Sequence, residues 1–131
     1  MTDEYQKRYQ AHQNRKKQTL IEIMKQRHSN RMFSDVVISD DTIEKLVASI
    51  DMCPSSCGRK AISIMTVRDR DKKALLGGLL VGGVGWIHRA DTILLIFADQ
   101  IAYKAGDEIK FMPYLDAGVV IEHLYLMATQ E

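Results

Sequence analysis

The sequence predicts an α+β fold in which helices cover a small central sheet. Three segments have apolar residues arranged as on a helix face, one short segment alternates as a strand does, and one continuous apolar run is typical of a buried strand. The predicted order is helix, helix, strand, helix or loop, strand, helix. The 131 residues have room for one domain and not for two, and a hydrophobic content of 46% is typical of a soluble globular protein.

Two helices are predicted in the first half of the chain. The first covers residues 18–25, and the polar residues 3–17 can extend it backwards. The second begins at a cap formed by Asp40 or Asp41, since a carboxylate there also suits the helix dipole. It ends shortly before Pro54, because the residue that precedes a proline avoids helical geometry.

The second half of the chain supplies the sheet and a long helix. Residues 61–67 alternate as a strand, residues 68–73 form a charged turn, and the glycines of residues 77–85 form a flexible connection around a ligand or a partner. The apolar run 92–97 predicts a central strand that is buried on both faces. The last helix begins at Tyr114 or the next residue, and its apolar groups predict burial nearly all round.

The charge balance argues against nucleic acid and membranes as partners. Lys and Arg total 18 and Asp and Glu total 17, so a net charge of +1 creates no field that would attract either. We interpret residues 1–17 as a polar, basic N-terminal extension and residues 18–131 as the domain. The N-terminus lacks the apolar core of a signal peptide, which predicts a cytoplasmic protein. Cys53 and Cys57 are expected to be reduced thiols, and no second Cys or His pair completes a metal site beside them.

Two polar clusters contain the candidate functional residues. The first comprises Arg27, His28, Ser29 and Arg31, whose guanidinium groups and hydroxyl suit a phosphate. The second is the Pro54-Ser55-Ser56 loop between a predicted helix and a predicted strand, where functional loops are common. Together the clusters suggest one anion-binding site. Surface ion pairs of the two arginines with nearby aspartates are the alternative interpretation.

These clusters and three further motifs resemble the FMN-dependent nitroreductase family. The resemblance extends over about residues 20–130, and the order and spacing of the motifs make the set more specific than any one of them. The motifs are Arg27-His28-Ser29 with Arg31 and Phe33, the helix from Asp41, Pro54-Ser55-Ser56, Ala90-Asp91, and Asp116-Ala117-Gly118. The resemblance implies a nitroreductase-like α/β sandwich.

The resemblance also implies a flavin site that two copies of the chain share. The first cluster would bind the FMN phosphate, with Arg31 near the pyrimidine edge of the flavin. The second cluster would approach the isoalloxazine across a homodimer interface, and Gly58 lies in the same loop where the family usually has Asn. The implied cofactor-binding residues are Arg27, His28, Ser29, Arg31, Pro54, Ser55, Ser56 and Gly58.

The implied activity is that of an FMN-dependent NAD(P)H oxidoreductase, which reduces nitro, quinone or related acceptors by a ping-pong hydride mechanism. No side chain is expected to act as a nucleophile, because the flavin carries the chemistry. The family usually continues after the last helix with a Gly-x-Gly loop, a strand and a basic segment. We therefore expect a fold that is incomplete at the C-terminus, as a fragment, a natural truncation or a chain completed by a partner. The alternative function is a non-catalytic or partner-completed dimerisation module with a degenerate flavin site.

Overall fold

The computed structural model describes residues 3–104 and 106–131, with the backbone alone at Lys17. Within these residues the chain forms four α-helices and two β-strands, which confirms the predicted α+β class. The elements are α1 (Asp3–Gln26), α2 (Asp40–Ala48), β1 (Ile62–Val67), α3 (Arg70–Leu79), β2 (Ile93–Ala98) and α4 (Asp107–Gln130).

The two strands pair antiparallel, and α2 and α4 cover one face of the pair. Ile62 lies opposite Ala98, and Val67 lies opposite Ile93. On the covered face the apolar side chains of both strands pack against a buried cluster from the two helices and the loop after α2. The buried cluster is Leu46, Cys53, Val120 and Leu124, and the strand residues packed against it are Ile62, Ile64, Leu94 and Ile96.

The prediction of a central strand buried on both faces is wrong for β2 within the described residues. There β2 pairs with β1 alone. On the face away from the helices, Phe97 is 47% exposed, and Met65 on the neighbouring strand is 55% exposed. A continuous apolar run does not distinguish a strand covered twice from one whose second face is left for another polypeptide.

The first helix extends well beyond its short apolar segment, residues 18–25. The backward extension is confirmed, because α1 runs unbroken from Asp3 to Gln26. Its first turns are exposed and carry the ion pairs Lys7–Asp3 and Arg8–Glu4, each at 2.7 Å. Such pairs at spacing i,i+4 stabilise a solvated helix modestly. Thr19 and Ile23 in the later turns line a groove together with Gln130 at the end of α4.

The second helix begins at a serine and not at an aspartate. Ser39 is the N-cap, and its hydroxyl oxygen accepts a hydrogen bond from the backbone N–H of Thr42 at 3.2 Å. Asp40 and Asp41 therefore lie in the first turn. Their negative charges interact favourably with the helix dipole there, but neither residue caps the helix. A 3-10 turn, Ser49–Met52, follows α2 and leads into the proline loop as predicted.

Part of the segment predicted as a charged turn and a flexible connection is α3. Asp69 caps this helix by accepting a hydrogen bond from the N–H of Lys72 at 2.9 Å. Gly77 is buried, and a Cβ there would lie 3.3 Å from Ile87 and 3.4 Å from His88. This glycine therefore permits the turn that follows to pack closely on α3.

The last helix begins at Asp107, seven residues before the predicted start. Pro113 lies inside it, so one intrahelical hydrogen bond is missing. Asp116, Val120 and Leu124 recur at helical spacing on its buried side. The predicted burial nearly all round is wrong within the described residues, because Tyr114 is 74% exposed, and Leu115 and Val119 on α4 are exposed too.

Candidate functional site

The first predicted cluster lies directly after α1 and lines an open groove. The groove has a volume of about 510 Å³ and is formed against Trp86 and the last turns of α4. Arg27 is half-buried, while His28, Ser29 and Arg31 are exposed. The remaining lining residues are Asn30, Phe33, Trp86, Tyr125, Ala128 and Thr129.

The two arginines of the groove are available to an anion. In the part of the chain that the structure describes, neither Arg27 nor Arg31 forms an ion pair with Asp35 or Asp40. Asp40 instead binds Arg68, with a nitrogen–oxygen distance of 2.5 Å. The alternative interpretation of surface ion pairs therefore finds no support.

An aromatic stack fixes the outer side of the groove. The rings of Phe33 and Trp86 are stacked with centroids 6.2 Å apart and an interplanar angle of 12°. The guanidinium carbon of Arg31 lies 5.5 Å from the Trp86 centroid, which is a cation–π distance. Contact with the ring face leaves the N–H edge of the guanidinium free to bind an anion. Trp86 also donates a hydrogen bond from Nε1 to the carbonyl oxygen of Gly82 at 2.7 Å.

A backbone contact sets the orientation of His28. Its Nδ1 lies 2.8 Å from the carbonyl oxygen of Gln26, which can only accept, so Nδ1 carries a proton. Nε2 is then the ring nitrogen left for a ligand. In the imidazolium form this nitrogen would be a fourth donor group for a phosphate, beside the two arginines and the hydroxyl of Ser29.

The second predicted cluster lies in a loop that the rest of the chain holds at several points. The backbone N–H and the hydroxyl of Ser56 donate to Asp116 Oδ1 at 3.0 and 2.9 Å. The N–H of Lys60 donates to Ser55 Oγ at 3.0 Å. Lys60 Nζ donates to the carbonyl oxygens of Asp51 and Cys53 at 2.8 and 2.6 Å. The loop is thus closed on itself by Lys60 and joined to α4 by Asp116.

The loop contains three residues with a positive φ. Cys57, Gly58 and Lys60 have φ angles of 52°, 67° and 52°. Glycine adopts this conformation freely, and Asn adopts it more readily than most other residues. A Cβ built on Gly58 would meet no atom within 4 Å outside the neighbouring residues, so the positive φ angle and not a lack of space favours glycine here.

Asp116 is the centre of a buried polar network that sequence reasoning missed. The residue is 5% exposed, and its Oδ2 accepts a hydrogen bond from the Tyr103 hydroxyl at 2.9 Å. Burial alone would raise the pKa of Asp116, but the bonds from Ser56 and Tyr103 and the nearby Arg59 guanidinium outweigh burial and lower it. Burial and the bond to Asp116 raise the pKa of Tyr103 to about 12.

Arg59 connects this network to the start of α4. Its NH1 lies 2.8 Å from Glu108 Oε1, and both side chains are largely buried. Its guanidinium carbon also lies 5.7 Å from the centroid of the Tyr103 ring. The sequence contained one signal of this buried network. Asp116 is an acidic residue within the apolar stripe that Val120 and Leu124 continue.

One chain does not bring the two clusters together. The first cluster lies beside Ala128 near the end of α4, whereas the second is bound to Asp116. The twelve residue steps from Asp116 to Ala128 correspond to about 18 Å along a helix axis. The two clusters therefore lie at separate positions along α4.

Cysteines, groups of potential metal ligands and long apolar helices are the other features that could carry a function. Cys53 is buried and Cys57 is exposed, and both are free thiols. Within residues 3–104 and 106–131, no group of three His, Cys, Asp or Glu side chains is arranged to hold a metal ion. None of the helices in the same ranges is both long enough and apolar enough to cross a membrane.

Comparison with known proteins relates this geometry to a family. The sequence profile of the nitroreductase family matches residues 24–84, which include both clusters. The predicted resemblance to the nitroreductase family is confirmed. FMN reductase [NAD(P)H] from Bacillus subtilis is 26% identical over 80 residues, which cover 61% of this chain and 32% of that protein.

Solved structures show the same nitroreductase fold. NfrA2 from B. megaterium superposes with a TM-score of 0.74 and 26% identity, covering 84% of this chain and 50% of that one. The NADPH:FMN oxidoreductase from Vibrio harveyi, solved as a complex with NAD+, has a TM-score of 0.75 and 20% identity over 84% of this chain and 51% of that one. The chain thus spans about half the length of these structures and about a third of the curated relative.

Proposed function

We propose that this nitroreductase-family chain binds FMN and acts in an NAD(P)H-dependent oxidoreductase. The observation that carries the proposal is the groove after α1, where two arginines that form no ion pair with any described residue lie beside a hydroxyl and an imidazole. The curated relative is named as an FMN reductase that uses NAD(P)H, which agrees with this ligand class. Residues 1–17 would be an extension of the domain, and the cytoplasm is the proposed location.

The groove fits the phosphate end of FMN in charge and in size. Among the described residues that line it none is acidic, while Arg27, Arg31 and His28 can be cationic. Its volume of about 510 Å³ lies within the range of about 300–1,000 Å³ that small-molecule sites usually have. A phosphate would receive paired N–H donors from a guanidinium and a neutral donor from Ser29.

Each predicted residue has a distinct task in this proposal. Arg27, His28 and Ser29 would hold the phosphate and so fix one end of the cofactor. Arg31, held against Trp86, would place a positive charge near the pyrimidine edge of the flavin. When bound, FMN would supply the hydride chemistry, accepting a hydride from NAD(P)H and passing it to a nitro, quinone or related acceptor in a ping-pong cycle.

The proposal includes a homodimer. The resemblance to the nitroreductase family implies that the loop with Pro54, Ser55 and Ser56 serves the site of a second copy, and this loop lies about 18 Å along α4 from the groove of its own chain. The outer side of α4 offers a surface for this contact, because Tyr114, Leu115 and other apolar groups are exposed there. Exposed apolar area of this kind is characteristic of protein interfaces.

Absorbance spectroscopy and turnover test the proposal directly. The purified 131-residue chain, incubated with FMN and passed through a desalting column, should retain flavin absorbance and release FMN on denaturation. It should also oxidise NADH or NADPH in the presence of a quinone or a nitroaromatic acceptor, and only with FMN present. A colourless protein that takes up no FMN would contradict the proposal.

The second candidate function is a non-catalytic or partner-completed dimerisation module with a degenerate flavin site. It is favoured by the exposed apolar residues of α4, which suit a contact between two chains. A stable dimer that binds no FMN and does not oxidise NAD(P)H would establish this function instead.

A further inference from the structure

We infer that Asp116 is a positioning residue, which acts through Ser56 to hold the loop of residues 54–60 in the shape that faces the flavin of a partner chain. The inference rests on the proposed function, because it assigns a role within the same site. It also distinguishes the two serines of the loop, since Ser56 donates its hydroxyl hydrogen to Asp116, whereas the hydroxyl hydrogen of Ser55 has no acceptor among the described residues.

The loop needs an external support to keep its conformation. Three of its residues adopt positive φ angles, and two of these, Cys57 and Lys60, are not glycine. Residues in such conformations persist when surrounding structure fixes them. Asp116 provides this support because it accepts both the N–H and the hydroxyl of Ser56 on one carboxylate oxygen.

The support itself is rigid. Asp116 lies on α4 one turn before Val120, and Val120 and Leu124 are both in the buried core. The second carboxylate oxygen accepts the hydroxyl of Tyr103, so three donors converge on one carboxylate. A carboxylate suits this arrangement better than an amide, because both of its oxygens accept hydrogen bonds and neither donates.

The hydrogen bonds of the loop direct one serine inward and leave the other free. Ser56 donates its hydroxyl hydrogen to Asp116 and therefore cannot donate it to a ligand. Ser55 Oγ accepts from the N–H of Lys60, and among the described residues its own hydroxyl hydrogen has no acceptor. Ser55 is thus the serine that can donate to an acceptor atom of the flavin ring.

Hydrogen exchange measures the positioning role without any cofactor. In the Asp116→Ala protein, amides of residues 53–61 should exchange at least about tenfold faster than in the wild type, because the Ser56 N–H loses its acceptor. Asp116→Asn keeps an oxygen that can accept from Ser56. Amide exchange of residues 53–61 in this variant should therefore be faster than in the wild type and slower than in Asp116→Ala. Asp107→Ala, which removes a carboxylate that is 86% exposed on the same helix, is the matched control and should change nothing in this segment.

Flavin titration then connects the loop to the ligand. Asp116→Ala should weaken the binding of FMN and of riboflavin by the same factor, about tenfold, because the loop faces the ring that both ligands share. Ser55→Ala should weaken both ligands as well, whereas Ser56→Ala should act mainly by increasing exchange in the loop.

The outcomes separate this inference from the proposed function. Unchanged exchange in residues 53–61 of Asp116→Ala, or faster exchange throughout the chain, would overturn the positioning role even if FMN binds. Faster local exchange with unaltered flavin affinity would overturn it too. A wild-type protein that binds neither flavin would instead overturn the proposed function. If Asp116→Ala does not fold, Asp116→Asn carries the same comparison.

Discussion

Replacing Arg27 with alanine should weaken the binding of FMN about tenfold and leave the binding of riboflavin almost unchanged. The two ligands share the ring system, but only FMN carries the phosphate. A hydrogen bond to a charged group contributes about 1.5–3 kcal/mol, and about 1.4 kcal/mol corresponds to a tenfold change in affinity. Arg27 is half-buried, so water screens part of the attraction, and we expect the lower end of this range.

Quenching of flavin fluorescence gives both dissociation constants, and Lys25→Ala is the matched control. Lys25 lies two residues before Arg27 in the last turn of α1, is exposed, and does not line the groove. Both variants lose one positive charge, so a long-range charge effect would weaken FMN equally in both. If Arg27→Ala and Lys25→Ala behave alike, or if riboflavin binding falls as much as FMN binding, Arg27 does not contact the phosphate.

Three further outcomes are expected. Leu124→Ala should lower the free energy of unfolding in urea by about 2–4 kcal/mol, because Leu124 is buried, whereas Leu75→Ala at a site 66% exposed should change it by less than about 0.5 kcal/mol. The stability difference between wild type and Asp116→Asn should be constant from pH 7 to about pH 5 and should vanish only below the ordinary Asp pKa of about 3.9, because the folded pKa is lowered. If this stability difference disappeared near pH 6, the pKa of Asp116 in the folded protein would be raised and not lowered, which would refute the prediction. FMN should lower the concentration at which the dimer dissociates in analytical ultracentrifugation, and riboflavin should do so less.

Local signals in the sequence were sufficient to predict most of the core elements. The strand run 92–97 lies within one residue of β2, and residues 61–67 within one residue of β1. Both strands are short and rich in β-branched residues, and their ends are marked by polar residues. Helix α2 ends at Ala48, but the 3-10 turn that follows ends at Met52, the predicted end, because Cys53 before the proline is extended and this effect needs no tertiary contact.

The remaining elements depended on contacts that propensity does not report. Gly77 and Gly78 argued against a helix, yet α3 forms because Asp69 caps it and Gly77 packs against the next turn. The last helix was expected to begin at Tyr114 or Leu115, yet α4 begins at Asp107 and continues through Pro113. In both helices, capping and packing outweigh the local cost, which is about 1 kcal/mol for a glycine and about 3 kcal/mol for a proline inside a helix.

The candidate site was only partly predictable for the same reason. Both clusters were visible because each is contiguous in sequence, and each could be assigned to a ligand from its chemistry. The bond between Ser56 and Asp116 joins residues 60 positions apart and has no local signature. The separation of the two clusters along α4 also has no local signature in the sequence, because it depends on how the chain folds.

That separation links flavin binding to assembly in the proposed function. In a two-fold symmetric dimer, the loop of each copy would lie at the groove of the other, so both sites form together or neither does. A ligand that binds only the assembled state stabilises it by about 2.7 kcal/mol per site when present at one hundred times its dissociation constant. Two sites would add about twice this amount to the dimer. The phosphate cluster after α1 and the Asp116-supported loop would then be coupled through the interface, although the two clusters lie at separate positions along α4 within one chain.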